Sequence, residues 1–290
     1  MRWTALATLS CLALGLGGCG APSEILDVSY DDRFGDQTTM DLFLPAGEPS
    51  GSPAIVMIHG GAWRFGSKDA YRDAATRMAR SGWVAVSINY RLGSAGVYPR
   101  AVQDCVCALS FLRAHADDYG IDPDRIAVTG YSAGGHLASL IGTSADAPEH
   151  IPDCASGATT LPNAVISAAG AQDLHGKKHA WVREFVGGSE SEFPERYDTA
   201  SPIHHVKPGS PPLLMITGGA DWLADFDDLD KMRNSMRAAG NDADLLLING
   251  GGHIINPDEN VGAVNLEVAD MTPEAWAATA DFLDRTLGWP

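Results

Sequence analysis

The pentapeptide Gly130-Tyr131-Ser132-Ala133-Gly134 follows the apolar run Arg125-Ile126-Ala127-Val128-Thr129 and opens into a helical pattern at Gly135-His136-Leu137. Small residues on both sides of a serine, between a strand and a helix, permit a turn sharp enough to hold the hydroxyl out at the helix N-terminus. Such a hydroxyl suits attack on a carbonyl carbon, with Ser132 as nucleophile. A serine nucleophile needs a base, and the base needs an acid to fix its tautomer. Asp221 follows Leu213-Leu214-Met215-Ile216-Thr217 through Gly218-Gly219-Ala220, and His253 follows Leu245-Leu246-Leu247-Ile248 through Asn249-Gly250-Gly251-Gly252. Each lies just past the end of an expected strand, so Asp221 is the expected acid and His253 the expected base. Asp225 is the second choice for the acid, because Asp225, Asp227 and Asp228 begin a helical pattern, where acids favour the N-terminus. Among the other histidines, His136 reads as packing beneath the serine turn, and His204 and His205 as loop or cap residues.

A second chemical signal is His59-Gly60-Gly61-Ala62-Trp63, directly after the buried-strand run Ala54-Ile55-Val56-Met57-Ile58. Successive small residues let a loop offer backbone N–H groups to an oxyanion without obstruction. Gly61 and Ala62, with Gly60, are the expected donors, joined by the N–H of Ala133. His59 reads as a polar residue that fixes this loop by hydrogen bonding. Trp63 and Trp222, with the aromatic segment 181–197, are candidates for the pocket wall, a place where aromatics also serve as plain core packing. No cluster of His, Cys and carboxylates shows metal-ligand spacing, so neither a metal nor another cofactor is expected.

These residues must be held by a framework. Apolar runs of strand length occur at 25–30, 39–44, 54–58, 84–89, 125–130, 164–168, 213–217 and 244–248. Helical patterns fall near 69–80, 101–116, 133–142, 225–239 and 272–286. Alternation of this kind predicts an α/β architecture, a mostly parallel central sheet of about eight strands with helices on both faces. The first two strands, separated by Gly35-Asp36, are expected to form an antiparallel hairpin at the sheet edge. Residues 19–290 read as one domain, with a small cap or insertion around 171–210 where the strand signal lapses.

The His-Gly-Gly-Ala-Trp run, Asn89-Tyr90-Arg91, Tyr119-Gly120-Ile121-Asp122-Pro123-Asp124-Arg125-Ile126, Gly-Tyr-Ser-Ala-Gly-Gly-His and Ser201-Pro202-Ile203 together resemble the α/β-hydrolase superfamily. Within it the chain is similar to the carboxylesterase branch related to hormone-sensitive lipase, feruloyl and acetyl-xylan esterases and kynurenine formamidase. The resemblance implies Ser132 as nucleophile, Asp221 as acid, His253 as base and an oxyanion loop at 60–62, with a short-chain, small-molecule ester hydrolysed through an acyl-enzyme. An arylformamidase or a carbohydrate (acetyl or feruloyl) esterase would use the same set. A non-catalytic, hydrolase-like binding lipoprotein is the alternative of a different class. Ala62 stands where lipase-like relatives usually carry a third Gly, and the family pattern gives no account of Cys105-x-Cys107.

Composition narrows the partners. The 290 residues carry Lys+Arg 20 against Asp+Glu 37, a formal charge of -17. A surface of that sign repels phosphates, which excludes nucleic-acid binding as a primary role and leaves an N-terminal anchor as the expected route to a membrane. The uncharged run Trp3 to Ser23 follows Arg2 and contains Leu16-Gly17-Gly18-Cys19, which resembles a bacterial lipobox. Residues 1–18 are therefore expected to be an export signal and Cys19 a lipidation site, giving an envelope protein; an uncleaved membrane anchor is the rival. Of the five cysteines, Cys105, Cys107 and Cys154 would remain. Cys105 and Cys107 point in different directions on one helix and should not pair with each other. Cys107 is the better partner for Cys154 because Cys105 falls on the apolar face; three buried free thiols are the alternative.

Overall fold

The computed structural model describes residues 21–47, 49–154, 161–253 and 272–290. The expected export signal and Cys19 lie outside these residues. Among them run strands β1 (Ser23–Ser29), β2 (Thr39–Leu44), β3 (Ser52–Ile58), β4 (Val84–Ile88), β5 (Ile121–Tyr131), β6 (Ala164–Ala168), β7 (Leu213–Gly218) and β8 (Ala243–Ile248). They form one sheet in the order β1-β2-β4-β3-β5-β6-β7-β8. β1 pairs antiparallel with β2, and β2 with β4, while every later pairing is parallel. The edge hairpin is present, its strands joined by a 3-10 segment at Asp32–Thr38. β5 starts earlier than the apolar run suggests, because Ile121 already pairs with Ser52 before the register shifts at Ala54–Ile126.

The helices are α1 (Arg72–Arg80), α2 (Arg100–Ala114), α3 (Ala133–Ser144), α4 (Ala180–Val186), α5 (Pro194–Thr199), α6 (Phe226–Ala238) and α7 (Pro273–Leu287). Both faces of the sheet are covered, as the near-continuous apolar strands of a parallel sheet require. Alternate side chains divide β3 between two cores: Ala54, Val56 and Ile58 pack with α2, α3 and α6, and Ile55 and Met57 pack with α1 and α7. The segment 171–210 contributes no strand. It holds the short helices α4 and α5, whose Val182, Phe185 and Tyr197 join the core on the α3 side.

Cys107 on α2 is disulfide-bonded to Cys154 beyond α3, with Cα atoms 6.1 Å apart. Cys105 is a buried free thiol. The helix points Cys105 into the apolar core and turns Cys107 toward Tyr30, whose carbonyl oxygen lies 3.5 Å from its Sγ. Among the described residues no helix is long and apolar enough to cross a membrane.

Candidate active site

β5 ends at Tyr131, and Ser132 then adopts φ 54° and ψ −117° before α3 begins at Ala133. A positive φ is uncommon outside glycine and costs free energy that the surrounding structure must supply. Here the Ser132 N–H donates to Ala168 O at 2.8 Å and its carbonyl accepts from His136 N at 2.9 Å, so the turn is held from both sides. A side chain at Gly134 would place its Cβ 1.9 Å from Ile58 O, which explains the small residue two places after the serine.

Three side chains from different strand ends meet at this turn. Ser132 Oγ lies 2.8 Å from His253 Nε2. His253 Nδ1 lies 3.1 and 3.0 Å from the two carboxylate oxygens of Asp221. An Nδ1–H that donates to the carboxylate leaves Nε2 free to accept from the serine hydroxyl. Asp221 is buried, and its Oδ1 also accepts the N–H groups of Leu223 at 2.8 Å and Ala224 at 3.0 Å. Thr217 Oγ1 stands 3.4 Å from Oδ2. The carboxylate therefore has one orientation open to it.

The loop after β3 runs alongside. A Cβ at Gly60 would lie 3.4 Å from Ser132 Cβ and 2.9 Å from Tyr131 O, so the loop's glycine lets its backbone pass against the serine. Gly60, Gly61, Ala62 and Ala133 all border the same cavity as Ser132. Among the described residues, the N–H groups of Gly60, Gly61 and Ala62 donate to no carbonyl. Ala62 and Trp63 both have positive φ, 53° and 56°, so the alanine in place of a third glycine adopts the strained conformation. The loop closes through the N–H groups of Arg64 and Phe65 on Gly61 O, each at 3.0 Å. His59 is its inner fastening: Nδ1 donates to Gly60 O at 2.7 Å, the ring stacks on Tyr90 at 4.4 Å, and Tyr90 OH donates to His59 O at 2.9 Å. Burial pushes His59 down to about 4, so the ring is neutral at neutral pH.

The cavity has a volume of about 810 Å³ and reaches from Ser132 and His253 to Phe65, Trp63, Trp181 and Trp222. Trp63 is buried and stacks on Phe185 at 4.6 Å, so it serves core and wall together. Trp222 is half exposed, 5.2 Å from the His253 ring and 5.9 Å from Trp181. His179 stacks on Trp181 at 4.6 Å with planes 5° apart.

The alternatives fall elsewhere. Asp225 caps α6 by accepting from Asp228 N at 3.1 Å and pairs with Lys177 at 2.8 Å. His136 lies buried under the serine turn, its Nε2 donating to Ala200 O at 2.8 Å, and burial lowers it to about 4. His205 Nε2 lies 2.8 Å from Thr199 O. Sequence reasoning missed Tyr131, whose hydroxyl donates to the carbonyl of His253 and so fastens the loop that carries the imidazole. Burial raises the Tyr131 hydroxyl above the usual phenol range, keeping it a donor. It also missed Phe65, and it found no metal-ligand cluster, whereas the fold brings Asp173, His175 and His204 to within 4.8 Å of one another by their ligand atoms. The expected absence of a ligand set rested on spacing along the chain, and these three meet only through folding.

A family model described as BD-FAE matches residues 40–236. Esterase LipC of Mycobacterium tuberculosis is 32% identical over 212 residues, which cover 70% of this chain and 53% of LipC. The chain thus spans about half the length of that relative. A solved esterase of Thermogutta terrifontis, Est2, superimposes with a TM-score of 0.73 at 26% identity, covering 93% of this chain and 94% of Est2. Other solved forms of Est2 are bound to propionate, bound to butyrate or phosphorylated by paraoxon. A carbohydrate esterase from gut microbiota shares the fold, with a TM-score of 0.76 at 23% identity over 91% of this chain and 96% of that one.

Proposed function

The chain belongs to the BD-FAE family and has the α/β-hydrolase fold, and from that premise we propose that it is a serine carboxylesterase acting on short-chain acyl esters. The observation that carries this reading is the line of contacts from Ser132 Oγ through His253 to Asp221. LipC is named an esterase and LipM, also of Mycobacterium tuberculosis, a probable carboxylic ester hydrolase, and Est2, phosphorylated by paraoxon and found with propionate and butyrate, supports a serine enzyme for small acyl groups.

In the proposed mechanism His253 Nε2 takes the proton from Ser132 Oγ as the oxygen forms a bond to the ester carbonyl carbon. The carbonyl π electrons move onto its oxygen, and the backbone N–H groups of the 60–62 loop and of Ala133 hold that oxyanion. Collapse breaks the bond to the alcohol, which leaves with the proton carried by His253. A water molecule, deprotonated by His253, then attacks the acyl carbon; the acyl–Oγ bond breaks, Ser132 Oγ takes back the proton from His253 and the acid is released. Asp221 keeps the imidazole in the Nδ1–H tautomer and stabilises the imidazolium in both steps. The N–H of Ala133 belongs to the first turn of α3, whose dipole favours developing negative charge.

We further propose that residues 1–18 are an export signal and that Cys19 is acylated, so that a lipid tether fixes the enzyme in the cell envelope. Arg2, the uncharged run after it and the Leu16-Gly17-Gly18-Cys19 sequence support this. A carbohydrate ester substrate is a second reading, favoured by the exposed face of Trp222 beside Trp181, a platform on which a sugar or aryl ring can stack.

A panel of p-nitrophenyl esters of increasing acyl length, with acetylated and feruloylated glycans, tests both readings. Activity is expected to be highest on acetate to butyrate and to fall with longer chains. Ser132→Ala is expected to lose about 10⁵- to 10⁶-fold in kcat, and a fluorophosphonate to label Ser132 covalently. Wild-type turnover by Ser132→Ala would overturn the proposal.

A further inference from the structure

We propose that Asp173, His175, Asp198 and His204 form a binding site for one divalent transition-metal ion of the zinc class, built on the 171–210 segment and separate from the cavity at Ser132. Ligand atoms of Asp173, His175 and His204 all lie within 4.8 Å of one another. Asp198 Oδ1 sits between the two imidazoles, 3.0 Å from His175 Nε2 and 4.0 Å from His204 Nε2. Ligands about 2.0–2.1 Å from a tetrahedral zinc stand roughly 3.3 Å apart, so rotations of partly exposed side chains gather this set around an ion.

The orientation of the His175 ring is already fixed. Its Nδ1 lies 2.8 Å from Glu190 Oε1, and the other oxygen of Glu190 accepts the Gly176 N–H at 3.0 Å. Glu190 thus holds the ring from behind, as carboxylates do behind metal-ligating histidines, while Nε2 faces Asp198 Oδ1 and carries a proton that an arriving ion displaces. Asp173 is fixed by the main chain, since its Oδ1 accepts the backbone N–H of His175 at 2.9 Å and leaves its second oxygen for a ligand bond.

Charge points in the same direction. Asp173, Glu190 and Asp198 bring three carboxylates to one place, and among the described residues Glu190 and Asp198 pair with His175 and His204 rather than with lysine or arginine. A dication answers that excess, and two imidazoles in the set select a zinc-like ion over calcium or magnesium, which prefer oxygen alone. The side chains of His175, Asp198 and His204 are 30%, 55% and 43% exposed, which leaves an entry path from solvent. The ion would join the start of the segment to its end, with Trp181 of the pocket wall carried on the chain between.

Isothermal titration of tag-free, chelator-treated full chain with zinc tests this. One equivalent is expected to bind in the micromolar range, and zinc at about 100 times Kd to raise the melting temperature by roughly 4–8 °C. His175→Ala and His204→Ala are each expected to weaken binding by at least about tenfold. His204 makes the looser contacts of the two, so its variant keeps the test valid if His175→Ala fails to fold. His115→Ala, which removes an unrelated histidine–carboxylate pair with Asp118, should bind zinc as the wild type does. No binding, binding unchanged in both ligand variants, or calcium binding as tightly as zinc would overturn the site.

Discussion

At the C-terminal ends of β3, β5, β7 and β8 the backbone is fixed by parallel ladders and the side chains below are apolar and buried. Across the cavity, the 171–210 segment is held by two helices of seven and six residues and by contacts among charged and aromatic side chains. Ser132, Asp221 and the loop at 60–62 belong to the first region; Trp181 belongs to the second. The first holds Ser132, Asp221 and the 60–62 loop through many redundant bonds, and the second shapes a wall through a few. In the proposed esterase, chemistry and substrate choice thereby fall on parts of different stiffness, so that one can change without disturbing the other.

Substitutions on the two sides should separate accordingly. Asp221→Asn is the severe test on the strand-end side. The amide can still accept from Leu223 and Ala224, yet it offers Nδ2–H to His253 and favours the wrong tautomer, so kcat for an acetate ester should fall by about 10⁴-fold with little change in melting temperature. A loss under tenfold would mean that orientation of His253 does not depend on this carboxylate. Trp181→Ala should act on the other side alone, raising KM by about tenfold for the preferred ester while kcat stays within about twofold. An equal fall in kcat would show that the wall is coupled to the reacting geometry. A third effect falls on stability in acid, outside both sides of the cavity. Burial holds His59, His136 and His150 at about 4 in the folded protein, against about 6.5 when unfolded. Below pH 6.5 the unfolded chain binds more protons than the folded one. The stability these rings contribute is therefore complete above pH 6.5 and is lost between pH 6.5 and 4, at about 1.4 kcal/mol per pH unit for each. Melting curves across that range check it, and His150→Gln should flatten the slope by about a third of the histidine contribution.

Legibility in the sequence followed the same division. That Ser132, Asp221 and His253 come together was readable because each follows an apolar strand run, with glycines marking where the strand stops. The sheet of eight strands was readable for the same reason, although the start of β5 was not, since Asp122, Pro123 and Asp124 hide a pairing that depends on Ser52. α4 and α5 were not readable: each spans two turns or fewer, too little for periodicity to register. The contact from Tyr131 to His253 crosses 122 residues, and no local pattern announces it. Helix direction favoured Cys107 over Cys105 as the partner of Cys154 but left open whether any bridge forms. The 6.1 Å Cα separation is within bonding reach, and the disulfide is present.

That bridge closes a covalent loop of 47 residues, from α2 to the turn beyond α3, and the loop contains β5, Ser132 and the whole of α3. In the unfolded chain it removes configurations in which these pieces are far apart, a restriction equivalent to about 4 kcal/mol on loop-closure grounds. The strained serine turn is thus assembled from a segment already tied into a ring. A chain made where thiols stay reduced must build the same turn from an open chain, and its fraction folded there depends on the oxidation state of its surroundings.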